Sequence, residues 1–430
     1  MIVPSSAAAS ATVSRPRRVV VIGAGAAGTM AAIFAAKAGA ETILLERTRD
    51  GGRKILISGG GRCNVLPSRV DESRFVTNSS PNLLRKMVRA WPLAEQRAFF
   101  EETLGIALEE EVETAKLFPA SHRARDVRDG LIVYARQVGV QLRMDTRVTG
   151  LAPTAEGWEV RIENDLPMHA DAVIVATGGL SVPNTGSDGA GLGMLAQLGH
   201  TMHPTYAALT PLTAATSPYT ELSGVSLTVS LTARSEEQSA EARGGFLFTH
   251  LGYSGPSVLD VSHVVVRARA GLQSRATVQV QWTALGEPEW EAALKPHGAR
   301  TVTGALRNEL PDRLAAVLLA EADVEPHRPL SELRREERRR LIDVLVRGTL
   351  PWNGDEGYKK AEVTGGGVAL SEVHPRTMES RRHPGLFLCG EVLDAFGPIG
   401  GYNFLWAWST GRAAGEGAGR AQSSELRAKS

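Results

Sequence analysis

The sequence predicts an α/β fold built on a discontinuous, Rossmann-type dinucleotide-binding domain, and three observations carry that prediction. Near the N-terminus an apolar run, Val19 to Ile22, leads through Gly23-Ala24-Gly25-Ala26-Ala27-Gly28 into an Ala-rich segment reaching about Lys37. A second β-like run, Thr42 to Leu45, then ends at Glu46. Near the C-terminus, Gly385 to Cys389 ends in Gly390-Glu391, and a glycine turn opens a last helix at Gly401-Tyr402-Asn403, expected to reach about Gly411. Between these blocks, from about Thr201, the pattern changes to strict alternation, as in Val225, Leu227, Val229 and Leu231. That is the signature of strands with one solvated face, so residues 203 to 368 read as an insertion built on an antiparallel sheet or small barrel.

The first block has the strand–turn–helix context that the GxGxxG fingerprint needs to mean anything. Gly23 makes the tight turn, Gly25 lets backbone approach a pyrophosphate, and Gly28 lets the helix pack closely on the strand. The unpaired N–H groups of the helix N-terminus, including those of Ala26 and Ala27, face the phosphates. Glu46, at the end of the second strand, suits bidentate contact with a ribose diol and would repel a 2′-phosphate. These residues bind an adenine dinucleotide.

Composition sets the outer bounds. The 430 residues suffice for two or three domains, and 43% hydrophobic with 22% charged residues is an ordinary globular balance. Lys+Arg 48 against Asp+Glu 47 demands neither nucleic acid nor an anionic membrane as partner. The longest apolar candidate, Ala26 to Ala40, is amphipathic and carries Lys37, short of the ~18 uninterrupted apolar residues of a membrane span. Residues 1–17 are rich in Ala, Ser and Pro and run into Arg15, Arg17 and Arg18. They read as a disordered tail, with an organelle transit peptide as the alternative. The two cysteines, Cys63 and Cys389, form no disulfide framework and fit a reducing cytoplasm.

Directly after the ribose strand, Gly51 to Asn64 holds five glycines among Arg53, Lys54, Arg62 and Asn64, a composition that excludes an ordinary helix or strand. Helices follow over 81–104, with Pro92 opening a second one, and from Ala124 to Val138. Leu117-Phe118-Pro119 reads as a short strand, Val140 to Leu151 and Trp158 to Ile162 as further strands, and Asp171 to Ala176 as a buried strand ending at Thr177-Gly178-Gly179. Gly186 to Gly193 leads into a helix, Leu192–Leu198, and is no second fingerprint. In the insertion, 285–351 is helical and charge-rich. A helix from Ser331 carries Arg334, Arg335, Arg338 and Arg339 outward, and the interspersed Glu332, Glu336 and Glu337 make that a solvated face and not a nucleic-acid patch.

Three stretches together resemble one family: GRKILISGGGRCN (52–64), GGFLFTHLGYSGPSVLD (244–260) and TMESRRHPGLFLCGEVLDAFGPIGGYNFLWAWSTG (377–411). They resemble the BaiN-like, aminoacetone-oxidase-like bacterial flavoproteins over about residues 18 to 416. The resemblance implies non-covalent FAD on a Rossmann-type domain (18–202 and 369–430). It also implies an inserted β-barrel domain (203–284 and 352–368) that carries a helical subdomain (285–351). Carried over by motif, Gly23, Gly25, Ala26, Ala27 and Gly28 would meet the FAD pyrophosphate, and Glu46 and Arg47 its adenosine end. Arg53 and Lys54 would lie along the phosphate–ribityl part, and Gly61, Arg62, Cys63 and Asn64 near the flavin ring. Val148 would reach the adenine through backbone, and Thr177, Gly178 and Gly179 would sit beside the cofactor. Gly390 and Glu391 would approach the ribityl-pyrophosphate; Gly401, Tyr402 and Asn403 would reach the pyrimidine end. Relatives often carry threonine after the Asn64 position, where this chain has Val65-Leu66.

The expected activity is that of an FAD-dependent oxidoreductase acting on a small molecule. With a single full fingerprint, NAD(P)H is expected only as a transient co-substrate. A small-amine oxidase using O₂ is the alternative, and an RNA- or protein-binding flavoprotein a third reading. Neither nucleic acid, membrane nor metal is expected as partner. His250, in the glycine-proline turn of the insertion, is the substrate-side catalytic candidate, beside its plain reading as a turn histidine. Cys63 lacks a CxxC partner and reads as a packing thiol near the ring. Trp406 and Trp408 read as core anchors.

Overall fold

Val19, Val20 and Val21 are fully enclosed because their strand has protein on both faces. The computed structural model describes residues 15–214, 218–269, 271 and 275–420. The expected tail lies outside the described residues up to position 14. Five strands, β1 (Arg18–Ile22), β2 (Glu41–Leu45), β3 (Gln141–Arg143), β4 (Ala172–Val175) and β5 (Leu386–Leu388), form one parallel sheet in the order β5-β4-β1-β2-β3. Leu45 and Val175 both pair with Ile22, Arg143 with Leu45 and Leu388 with Val175, so all five strands end at one level. The order reverses direction between β1 and β4, which opens a crevice in front of Gly23, where open α/β sheets bind ligands.

The helix after β1, α1 (Ala26–Lys37), crosses the last helix of the described chain at backbone contact. The glycine-rich segment contains a one-turn helix, α2 (Arg53–Ile57), before its left-handed glycines. This corrects the expectation of no helix there: Arg53 to Ile57 holds no glycine, and buried Ile55 docks the turn near α3 (Ala124–Gln137).

In the insertion, seven antiparallel strands run in the order Gly348–Thr349, Thr277–Gln281, Ser226–Arg234, Ser239–Phe248, Gly252–Ser254, Leu212–Thr213 and Gly354–Asp355. The expected closed barrel is an open sheet: among the described residues each outer strand pairs on one side only. The space a barrel would enclose is taken by a helix, α4 (Pro256–Arg269), whose Val258, Val261, Val264 and Val265 share one core with Val229, Leu231 and Phe246. Residues 285–351 contain four helices; the one expected from Ser331 starts at Arg335, after a tight turn over Leu330–Glu332. Its first turn is fixed by Glu337, which accepts from the Arg334 N–H at 3.0 Å. Met202–Ala208 and Val363–Val368, where the chain leaves and re-enters the parallel-sheet unit, pair antiparallel with each other.

The last helix, α5 (Tyr402–Gly419), was expected to end near Gly411 and continues two further turns. Gly411, Gly415 and Gly419 recur every fourth residue, on one face. A Cβ at any of them would collide with a backbone carbonyl of α1, from Ala27, Ala31 and Ala35 in turn. These glycines are an interface and not a stop. Gly415→Val should therefore destabilise the protein by about 1–3 kcal/mol, the usual range for overpacking. Chemical denaturation measures this, and an unchanged midpoint would contradict the close crossing.

Candidate functional site

The crevice at the strand ends is a cavity of about 710 Å³, within the range of pockets that hold drug-sized ligands. It runs from Glu46 and Val148 past the Gly23–Gly25 turn and Gly390 to Asn403 and Phe118. The level strand ends put Glu46, the Gly23–Gly25 turn and Gly390 on one edge, and α5 adds the last helix N-terminus.

The glycine turn has the expected geometry. A Cβ at Gly28 would run into the Gly23 carbonyl, so this glycine sets helix–strand packing and does not itself line the cavity. A Cβ at Gly25 would meet nothing within 4 Å, leaving clear space before the N-terminus of α1. Gly25, Ala26 and Ala27 line the cavity there; no side chain caps the helix and no acidic residue stands in its first turn. Glu46 accepts from Ala24 N at 2.8 Å, Thr48 N at 2.9 Å and Thr48 Oγ1 at 2.7 Å. A carboxylate has about four lone-pair positions, so these bonds still leave room for a ribose hydroxyl. Arg47 is paired with Asp188.

At the centre, Lys54 Nζ donates to Ser181 Oγ at 2.6 Å and to Glu391 at 2.7 Å. Glu391 also accepts from Ser181 Oγ at 2.7 Å and Thr364 N at 2.8 Å. Burial pushes the Glu391 carboxyl up, but the Lys54 ammonium and these hydrogen bonds outweigh it, and the group stays below the usual carboxylate range. Gly179 lies behind this network, where a Cβ would strike Thr364 and Glu391, while Thr177 and Gly178 line the cavity. Arg53 lines it with its guanidinium held by Asp50 at 2.7 Å.

At the far end the structure separates the expected residues. Arg62 lines the cavity, paired with Glu111 at 3.0 Å and stacked 4.1 Å over Phe118. Asn64 lines it and accepts from Gly401 N at 3.1 Å, tying the glycine segment to the start of α5. Asn403 holds Gly397 through both ends of its amide, each at 2.9 Å. Gly61, Cys63 and Tyr402 do not line the cavity. Cys63 is fully buried and its thiol is pushed up to about 12 by burial, against a hydrogen bond with Ser58, which makes it inert packing. Tyr402 is buried against Phe75, its hydroxyl donating to Arg69 O at 3.3 Å. His250 sits on an exposed turn and does not reach the cavity. Trp406 and Trp408 are buried anchors, donating to Gly390 O and Val65 O at 3.1 Å each. Sequence reasoning missed Thr48, Ser181, Asp188, Lys116, Glu362 and Phe396, which come together only through the fold; for Thr48 alone was there a local signal, its place two residues after the acidic strand end.

A family model described as the HI0933-like protein Rossmann domain matches residues 17–417. The chain belongs to this family, among the FAD-dependent oxidoreductases. It is 33% identical over 402 residues to the ribosomal RNA dihydrouridine synthase of Escherichia coli, covering 91% of this chain and 95% of that one. It is 32% identical over 411 residues to the 3-dehydro-bile acid delta(4,6)-reductase of Clostridium scindens, covering 93% and 98%. A ribosomal RNA dihydrouridine synthase of Haemophilus influenzae is 30% identical over 398 residues, covering 91% and 96%.

The cavity fits FAD on its own terms. It offers an uncapped helix N-terminus with clear space at Gly25. It also has a second helix start at Gly401. These are donors for a pyrophosphate and for an electron-rich ring.

Lys54 is the only cation on Glu391 within hydrogen-bonding distance among the described residues. Lys54→Met should cost about 1–3 kcal/mol at neutral pH, less than the ~3–5 kcal/mol of breaking a fully buried pair because both side chains keep some solvent contact. Glu391 in the folded wild type sits below its unfolded value, so its contribution is complete above the unfolded pKa and fades as pH falls through the folded one. The deficit of the variant should accordingly shrink on acidification. Urea denaturation of both proteins at neutral and acidic pH checks this; a pH-independent deficit would exclude the electrostatic account.

Proposed function

We propose that this protein is an FAD-dependent reductase that saturates a carbon–carbon double bond conjugated to a ring carbonyl, with NAD(P)H as the transient electron source. One observation carries the reading. The same cavity includes, besides the glycine turns and Glu46, a chamber walled by Lys116, Phe118, Glu362, Phe396 and Ile399. Its walls come from the hairpin of Leu108–Glu111 and Lys116–Pro119, from the start of the strand by which the chain returns from the insertion, and from the loop before α5.

The names of the relatives support the reaction class. A delta(4,6)-reductase of a 3-oxo steroid acid and a dihydrouridine synthase both describe saturation of a ring C=C next to a carbonyl. Bound FAD would supply hydride transfer and a two-electron store. The chain supplies the rest. Gly25 to Ala27 would hold the pyrophosphate, and Lys54 with Glu391 would border the ribityl stretch. The N-terminus of α5 at Gly401 would stabilise negative charge on the ring. Phe118, covered by Arg62, and Phe396 present apolar walls that suit a flat ring and exclude water.

A small substrate is favoured over a polynucleotide. Of the cations lining the cavity, Arg47, Arg53, Lys54, Arg62 and Arg147 each have a carboxylate partner and, among the described residues, Lys116 alone has none, a single charge that leaves little field for a phosphate backbone. We place the protein in the cytoplasm. Both cysteines are free and buried, and among the described residues no helix is long and apolar enough to cross a membrane.

Purified protein should show an oxidised-flavin spectrum that NADH or NADPH bleaches anaerobically and a cyclic enone restores. No bleaching, with peroxide formed from small amines, would favour an oxidase; restoration by ribosomal RNA but by no small enone would replace the substrate class. His250→Ala should leave each of these rates unchanged, since its side chain stands outside the cavity; a loss of turnover would return it to the site.

A further inference from the structure

The chamber at the end of the cavity contains a carboxyl group that the binding roles above leave unused. Glu362 immediately precedes Val363–Val368, and its backbone N–H donates to Leu209 O at 3.1 Å, which fixes where the side chain starts. Its carboxyl lines the cavity and is accessible through it. Among the described residues no hydrogen bond holds that carboxyl. The charged groups acting on it are Asp260, from α4, and Lys116, from the hairpin. Both are fixed around the loop before α5. Asp260 accepts from Ile399 N at 2.7 Å, with Arg74 at 3.5 Å, and the Lys116 Cε lies 3.7 Å from where a Cβ of Gly400 would stand.

Resting on the reductase reading, we infer that Glu362 is the proton donor of this site, a neutral carboxylic acid that delivers its proton to the substrate carbon next to the carbonyl. The contrast with Glu391 makes the assignment. Two glutamates line one cavity; Glu391, with a lysine and two further donors, is pinned as an anion, whereas Glu362 has no donor and a second carboxyl nearby. Environments that push two carboxyls apart assign them different roles. Although Glu362 is open to the cavity, the protein packed around it, followed by the Asp260 charge, raises its carboxyl to about 7 against a smaller opposing effect of Lys116. Burial likewise raises Asp260 to about 6, against the Ile399 N–H and the charges of Arg74 and Lys116.

The reaction then balances. FAD held by Gly25 to Ala27 and reduced by NAD(P)H would supply the hydride at the carbon remote from the carbonyl, with the two electrons that balance the step. The freed π pair forms a C–H bond with the Glu362 proton at the near carbon, as the acid O–H bond breaks. The resulting carboxylate regains a proton from water through the cavity.

The test uses full-length protein loaded with FAD, and the variants Glu362→Gln and Glu362→Asp. Flavin bleaching by NAD(P)H should proceed in E362Q as in wild type, while reoxidation by a cyclic enone slows by about 10²–10⁴-fold, the usual weight of a general acid. E362D should recover part of that loss. Independently of turnover, infrared spectra of flavin-free protein at neutral pH should show a protonated-carboxyl band in wild type that E362Q lacks. Wild-type reoxidation rates in E362Q, or an unchanged band, would overturn the assignment. Absence of bleaching in both proteins would count against the reductase reading instead, and the infrared band would still decide the protonation of Glu362.

Discussion

Everything in the site depends on the crossing of α1 and α5 at backbone contact. Dispersion attraction falls steeply with separation, so a helix pair with Gly411, Gly415 and Gly419 against Ala27, Ala31 and Ala35 gains contacts that longer side chains would hold apart. The crossing also fixes chemistry. Thr410 Oγ1 accepts from Gly390 N at 2.9 Å, and Trp406 donates to Gly390 O at 3.1 Å, so α5 holds the turn after β5 from both sides. A Cβ on Gly390 would strike Ala27. The first and last blocks of the chain, more than 350 residues apart, therefore form one wall.

How much of this could be read from the sequence follows from the range of each interaction. The fingerprint was legible because its constraints are local: a turn, a close approach and a packing contact within six residues. The extent of α5 was not, since a glycine after an apolar run reads equally as a stop or as an interface, and only the partner at α1 decides between them. The barrel expectation failed for the same reason. Alternation in Ser226–Arg234 shows that one face is buried, but not whether a helix or a closing strand buries it, and here α4 does. Cys63 and Tyr402 lie in the motifs that resemble the family, yet their side chains turn into the core. Motif spacing places a backbone, and packing chooses the direction of the side chain.

The chamber was the least legible part. Lys116, Glu362, Phe396 and Ile399 come from three separated segments; only the stretch 377–411, which holds Phe396 and Ile399, carries a motif, and nothing in it points to the other two. What brings them together is the antiparallel pairing of Met202–Ala208 with Val363–Val368, which joins the exit from the parallel-sheet unit to the return into it. A buried cluster of Tyr206, Ala208, Leu209, Val266, Val363 and Phe396 seals that junction. Leu209 adopts a left-handed conformation there, and its carbonyl receives the Glu362 N–H. The position of the chamber's carboxyl is thus set by the hinge between the two units and by neither unit alone.

This arrangement separates two demands that a single glycine-rich fold could not meet together. Cofactor binding needs carboxylates held as anions and cations already neutralised, so that the pyrophosphate is met by helix N-termini and the rest of the cleft is electrostatically quiet. Proton delivery needs the opposite, a carboxyl stripped of donors and kept close to neutral. Lys54 and Ser181 supply the first condition at Glu391, from the glycine segment and from the stretch after β4. The second arises only where the insertion returns, because there the backbone amides are consumed by strand pairing and the neighbour from α4 is another acid. An insertion at this point of a Rossmann-type chain adds more than a lid over the ring; it brings an environment of different polarity to the end of the same cavity.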